Sequence, residues 1–117
     1  MPYSDRLLDH YRNPRHRGLL QHATHEHHER NPLCGDEVTM RLRVAGGHIQ
    51  EAAFEGVGCV YCIAAADLLC VHATGRPADA IAALPDDDAI ALLHVPVPAG
   101  RRDCATLALV AARKALQ

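Results

Sequence analysis

Thiols and a carboxylate are the groups of this sequence best suited to chemistry, and three of its five cysteines stand where a structural element begins. In "NPLCGDEV" (31–38), Cys34 and Asp36 lie two positions apart at the head of an alternating apolar run. Cys59 follows Gly56 and Gly58 where the strand pattern gives way to a helical one, and Cys104 follows Asp103 near the start of the last helical run. A cysteine at a helix N-terminus faces free N–H groups and the positive end of the helix dipole, and both favour the thiolate that binds metals and attacks sulfur. Cys59 and Cys104 are expected to be primed in this way, with Asp103 as the N-cap of the last helix. Thiolate sulfur and carboxylate oxygen both bind tetrahedral zinc, and thiolates are the usual ligands of iron–sulfur clusters. Cys34 and Asp36 thus read as half of a metal site, although spacing alone does not force three distant segments together.

Two further thiols and two polar runs need a place. Cys62 makes a CxxC with Cys59, one helical turn on; it can serve as a redox partner, an additional ligand or a relay for persulfide, or be a small buried thiol under the helix. Cys70 lies inside an apolar helix and reads as a buried small hydrophobe. The run "HATHEHHE" (His22, His25, His27, His28) has metal-binding residue types, but reads more simply as a solvated loop. Asp86, Asp87 and Asp88 read as an acidic helix start that complements the dipole.

The elements that position these groups follow from periodicity. "SDRLLDHYRNP" predicts a short helix capped by Ser4 or Asp5, carrying Leu7, Leu8 and Tyr11 on one side, ended by Pro14 and docked as an arm. Residues 15–33 show no clear period and read as a loop. In "EVTMRLRV", Val38, Met40, Leu42 and Val44 alternate with polar residues; Gly46-Gly47 makes the turn, and "HIQEAAFEG" returns with Ile49 and Phe54, an antiparallel hairpin with one buried face. A helix is predicted over 60–73, closed by Gly75 and Pro77, then two short helical pieces in "PADAIAALP" and "DDAIALLHV". "PVPAG" is a linker, and a last helix runs over 102–116 with Leu107, Val110, Ala111 and Leu116 for packing. Strands first and helices after predict an α+β fold, a small antiparallel sheet with helices packed on one face.

Composition sets the outer limits. A chain of 117 residues fits one domain, 1–117, with one modest core, and its 49% apolar and 22% charged residues are those of a chain that folds. The net charge of −2 gives no electrostatic footprint for nucleic acid or an anionic membrane. The apolar stretches are too short to span a bilayer and the N-terminal residues lack a signal-peptide apolar region, so a cytoplasmic protein is expected. In a reducing compartment structural disulfides are disfavoured, which turns attention to metal and sulfur chemistry for the thiols.

Four segments in order, "DHYRNPRHRG" (9–18), "NPLCGDEV" (31–38), "FEGVGC" (54–59) and "RRDCATLAL" (101–109), resemble the U-type iron–sulfur cluster assembly proteins, the IscU, SufU and NifU N-terminal family. The resemblance spans almost the whole chain. It implies an IscU-like α+β fold and a ligand set at Cys34, Asp36, Cys59 and Cys104, where family members hold zinc or a [2Fe-2S] cluster. It also implies a cysteine desulfurase (IscS- or SufS-like) as sulfur donor, Cys104 as the persulfide acceptor, and recipient apo-proteins or downstream carriers. The motifs are mixed. IscU-like scaffolds carry a histidine before the last cysteine and an LPPVK chaperone segment, where this chain has Asp103 and "VPAGR". The "RxxCATL" motif is SufU-like, yet the interval between Cys59 and Cys104 lacks the usual SufU insertion. Two functions follow: a scaffold on which Asp36 keeps a transient cluster labile, or a zinc-dependent sulfurtransferase with no scaffold role. Cys62 departs from the family, which has small and hydroxyl residues after the second motif's cysteine.

Overall fold

The computed structural model describes residues 3–117. Its elements are α1 (Asp5–Arg12), β1 (His25–Asn31), β2 (Asp36–Ala45), β3 (His48–Val57), α2 (Val60–Ala73), α3 (Ala78–Ala82), α4 (Asp86–Ala91), a 3-10 turn (Ala99–Arg101) and α5 (Arg102–Ala115). The strands form one antiparallel sheet in the order β1-β2-β3.

The predicted hairpin is β2–β3. Ala45 pairs with His48 across Gly46 and Gly47, both at positive φ (59° and 76°), the backbone that a two-residue type I′ turn demands and that glycine adopts without strain. Alternation then aims Val38, Met40, Leu42, Ile49 and Phe54 to one face, where each is fully buried, and one bulge between Arg43 and Val44 absorbs the register shift. Burying each of the larger side chains contributes roughly 1.5–3 kcal/mol. Against this face lie α2, buried on nearly every side, and α5, through Leu107, Ala108, Ala111 and Ala112. The α+β arrangement with helices on one face is as predicted, and α2 occupies the predicted residues.

The loop expected over residues 15–33 is corrected at two places. Residues 25–31 form β1, paired with β2 from His25↔Leu42 to Asn31↔Asp36. Its side chains are polar on both faces, so no apolar period marks it; backbone pairing to β2 and contact with α5, including a 2.7 Å ion pair between Lys114 and Glu29, hold it. The histidine run is thus mostly strand rather than loop, and the strand headed by Asp36 is the second of the sheet. Upstream, the His16–Gly18 segment covers the free edge of β3: Gly18 N–H donates to Phe54 O (2.8 Å) and Phe54 N–H to His16 O (2.9 Å).

The N-terminal arm docks as expected. Ser4 Oγ accepts from Leu7 N–H as N-cap, and Leu7, fully buried, packs against Tyr61, Ala64, Ala65 and Leu68 of α2. Asp67, in the middle of α2 and fully buried, fixes the arm: His10 Nδ1 lies 2.6 Å from its Oδ2, and the His16 N–H donates to its Oδ1 at 2.8 Å. Among the described residues, no helix is long and apolar enough to cross a membrane.

Candidate metal centre

Three segments meet at one end of the sheet. Asn31 closes β1 and organises the turn to β2, accepting Gly35 N–H on its carbonyl (2.9 Å) and Leu33 N–H on its side chain (3.1 Å). Gly35 at φ +75° completes the reversal, which puts exposed Cys34 at the turn and Asp36 at the first position of β2. Cys104 reaches the same place from the first turn of α5 and is buried. The ligand atoms of Cys34, Asp36 and Cys104 all lie within 4.8 Å of one another, with the two sulfurs 3.6 Å apart.

This donor set fits a metal ion. Asp36 is 5% exposed, and its Oδ2 is buried with no hydrogen-bond partner among the described residues, a state that costs several kcal/mol for a carboxylate unless a cation meets it. Two thiolates on one tetrahedral zinc, at about 2.3 Å each, are about 3.8 Å apart, close to the separation of the Cys34 and Cys104 sulfurs. Electrostatics points the same way. Burial pushes the Cys104 thiol well above the ordinary range, and the neighbouring Asp36, Cys34 and Cys59 push it further. The thiolate expected from a helix N-terminus alone is therefore corrected for Cys104: burial and like charges outweigh the dipole. A cation placed among these donors is the group that would let Cys104 ionise.

Cys59 is the N-cap of α2, half-buried, and near enough to Cys104 and Cys62 for its charge to act on both. Its sulfur is not among the three mutually close donors. Cys62 is fully buried beside Asp36, whereas Cys70 faces the core and Asp67. Asp103 is exposed, sits inside the first turn of α5 and does not cap it; Arg101 holds the N-cap position. None of the histidines joins the donor group: His27 Nε2 lies 3.2 Å from Glu29, and His28 bridges Thr39 and Glu37. The acidic start of α4 is as predicted, with Asp86 and Asp87 also paired to Arg113 and Arg102.

Two residues went unnoticed in the sequence. Arg101, in the turn before α5, carries a charge close enough to Cys104 and Cys59 to act on both, which its position three residues before Cys104 makes possible. Gly58 has no room for a side chain: a Cβ there would sit 2.8 Å from Cys62 Sγ and 3.0 Å from Asp36 Cγ. A cavity of about 540 Å³ lies elsewhere, at the C-terminal end of α2 between Arg6, His72 and Arg76. It holds no converging nucleophiles, so the thiol end is the better candidate for chemistry.

The fold and this cluster of thiols around a buried carboxylate are those of a small α+β protein with a donor group able to hold a metal ion. The sequence model of the NifU-like N terminal domain family matches residues 2–117, and the chain belongs to that family. It is 38% identical to the iron-sulfur cluster assembly scaffold protein IscU of Thermotoga maritima over 72% of this chain and 59% of that protein. It is 32% identical to the zinc-dependent sulfurtransferase SufU of Bacillus subtilis over 63% of this chain and 50% of that protein. The chain thus spans between half and three fifths of the length of these relatives. In fold it matches FiSufU, a SUF-system protein of Fervidobacterium islandicum AW-1, with a TM-score of 0.81 at 22% identity, covering 100% of this chain and 98% of that one.

Proposed function

We propose that this chain is a cytoplasmic iron–sulfur cluster assembly protein. On this reading it accepts persulfide sulfur from a cysteine desulfurase and holds zinc or a transient [2Fe-2S] cluster through Cys34, Asp36, Cys59 and Cys104. The observation that carries it is the convergence of Cys34, Asp36 and Cys104 around a buried, unpartnered carboxylate oxygen. Relatives named for cluster assembly and for zinc-dependent sulfur transfer support the same chemistry.

The chain's own residues divide the work. A bound cation supplies the positive charge that lets the buried thiols ionise. Cys104 is the acceptor: its thiolate attacks the outer sulfur of the desulfurase persulfide, a new S–S bond forms on Cys104, and the desulfurase cysteine leaves as thiolate. Cys104 is only 2% exposed, so the donor reaches it by displacing the exposed turn that carries Cys34. Leu33 in that turn and Val57 at the end of β3, 91% and 70% exposed, give the desulfurase an apolar rim to cover. A carboxylate is a poorer cluster ligand than thiolate, so Asp36 keeps a bound cluster labile enough to pass to recipient apo-proteins or downstream carriers.

One observation favours the narrower reading of a zinc-dependent sulfurtransferase with no scaffold role. The ligand atoms of Cys34, Asp36 and Cys104 all lie within 4.8 Å of one another, a spacing that suits three ligands of a single ion rather than a set divided over two irons. Anaerobic protein incubated with a desulfurase, cysteine and iron separates the two. Persistent zinc with persulfide on Cys104 and no visible absorption supports the carrier; iron and sulfide in equal amounts, lost in Cys34→Ala, support the scaffold. Unchanged metal binding in both Cys34→Ala and Cys104→Ala contradicts both readings.

A further inference from the structure

Cys62 lies at the third position of α2 and is fully buried. Like Cys70 it packs in the main core, but one side of it borders the proposed centre. Cys70, also fully buried in α2, has core neighbours and Asp67. Cys62 in addition lies beside Asp36, across the space at Gly58, at the end of the sheet that carries the centre. Gly58 makes this possible, because the space its missing Cβ leaves is bounded by Cys62 Sγ at 2.8 Å and Asp36 Cγ at 3.0 Å. An independent observation points to a ligand at the same spot: Asp36, 5% exposed, keeps Oδ2 buried without a partner.

We infer that Cys62 is a reserve ligand of the metal centre, placed to take over the position of Asp36 and convert a three-thiolate, one-carboxylate set into four thiolates. The inference rests on the metal-centre reading above. In such an exchange the Cys62 S–H would give its proton to the carboxylate beside it, and the Cys62 sulfur would take the place of the carboxylate oxygen toward a bound ion; one anion replaces another, with no external base, oxidant or reductant. Asp36 bound favours release of the cargo, and Cys62 bound favours retention, because thiolate is the stronger ligand for soft metal ions and clusters. Gly58 keeps both donors within reach of one position.

The test titrates Co²⁺, as a spectroscopic substitute for zinc, into the full chain and its Cys62→Ala, Asp36→Ala and Asp36→Ala/Cys62→Ala variants. Thiolate-to-cobalt charge-transfer absorption counts sulfur ligands. Wild type and Cys62→Ala should bind alike with three-thiolate spectra. Asp36→Ala should lose less than about tenfold in affinity and gain roughly a third in charge-transfer intensity, whereas the double variant should lose about a hundredfold or more. Asp36→Ala/Cys62→Ser, which keeps the volume of the buried side chain, should lose affinity like the double alanine variant, with circular dichroism confirming that each protein is folded. Equal weakening of Asp36→Ala and the double variants, or no added thiolate band in Asp36→Ala, overturns the inference while the metal centre stands. A wild-type chain that binds no cobalt overturns the metal-centre reading, and this inference with it.

Discussion

The molecule buries two aspartates, and they are treated in opposite ways. Asp67, in the middle of α2, is 0% exposed and fully engaged: His10 meets one carboxylate oxygen and the His16 N–H the other. Asp36, at the head of β2, is 5% exposed, is surrounded by thiols and leaves Oδ2 without a partner. A buried carboxylate is tolerated when its environment supplies protons or positive charge, and it destabilises the fold when that is missing. At Asp67 the protein supplies the partners itself and gains a fixed arm. At Asp36 it does not, and that unmet demand is what a cation would satisfy. The same kind of residue thus marks structure at one place and function at the other, and what distinguishes them is hydrogen-bond accounting rather than burial.

The contrast has measurable consequences. The largest is at the satisfied site. Asp67→Ala strands the His10 ring and the His16 N–H and should destabilise the protein by about 3 kcal/mol or more in urea unfolding, with Asp67→Asn losing less because it keeps an acceptor. A loss below about 1 kcal/mol would break the comparison. Next comes zinc, which should stabilise the wild-type chain by about 2.7 kcal/mol at a hundredfold excess over its dissociation constant, and should leave Cys34→Ala/Cys104→Ala unmoved in a thermal melt. An alkaline effect follows. Burial raises the Cys62 and Cys70 thiols above their ordinary value of 9.0, so above about pH 9 the unfolded chain releases protons that the fold keeps. Stability of the metal-free protein is therefore intact below that pH and should fall as pH rises, by up to about 1.4 kcal/mol per pH unit for each thiol; a flat profile from pH 8 to 10 would contradict the assigned burial. Smallest is Asp36→Asn in the metal-free protein, which removes an unpaired charge and should raise stability by about 1 kcal/mol or leave it unchanged. A clear loss there would mean that Asp36 is structural, like Asp67.

Much of the fold was legible because its signals are local. Gly46-Gly47 between alternating apolar runs specified the β2–β3 hairpin, and the apolar run from Val60 closed by Gly75 specified α2. β1 was not legible, since His25–Asn31 is polar on both faces and owes its conformation to pairing with β2, a contact that no window of sequence contains. The site divides along the same line. Cys34 and Asp36 are joined by a short turn, but Cys104 comes from 70 positions away and only the family resemblance, not spacing, brought it in. Dipole reasoning at helix starts predicted an ionised Cys104 and missed the burial and neighbouring anions that hold its proton. Nothing local marks Asp67 as the clamp of the N-terminal arm, because its partners His10 and His16 lie 57 and 51 positions away in the chain.

Zinc K-edge X-ray absorption of the purified, zinc-loaded chain tests the central claim most directly, because it reports the donor atoms themselves. The account predicts one zinc per chain with three sulfur ligands at about 2.3 Å and one oxygen at about 2.0 Å, the set formed by Cys34, Cys59, Cys104 and Asp36. A first shell of nitrogen and oxygen alone, as the histidines of β1 would give, would contradict it.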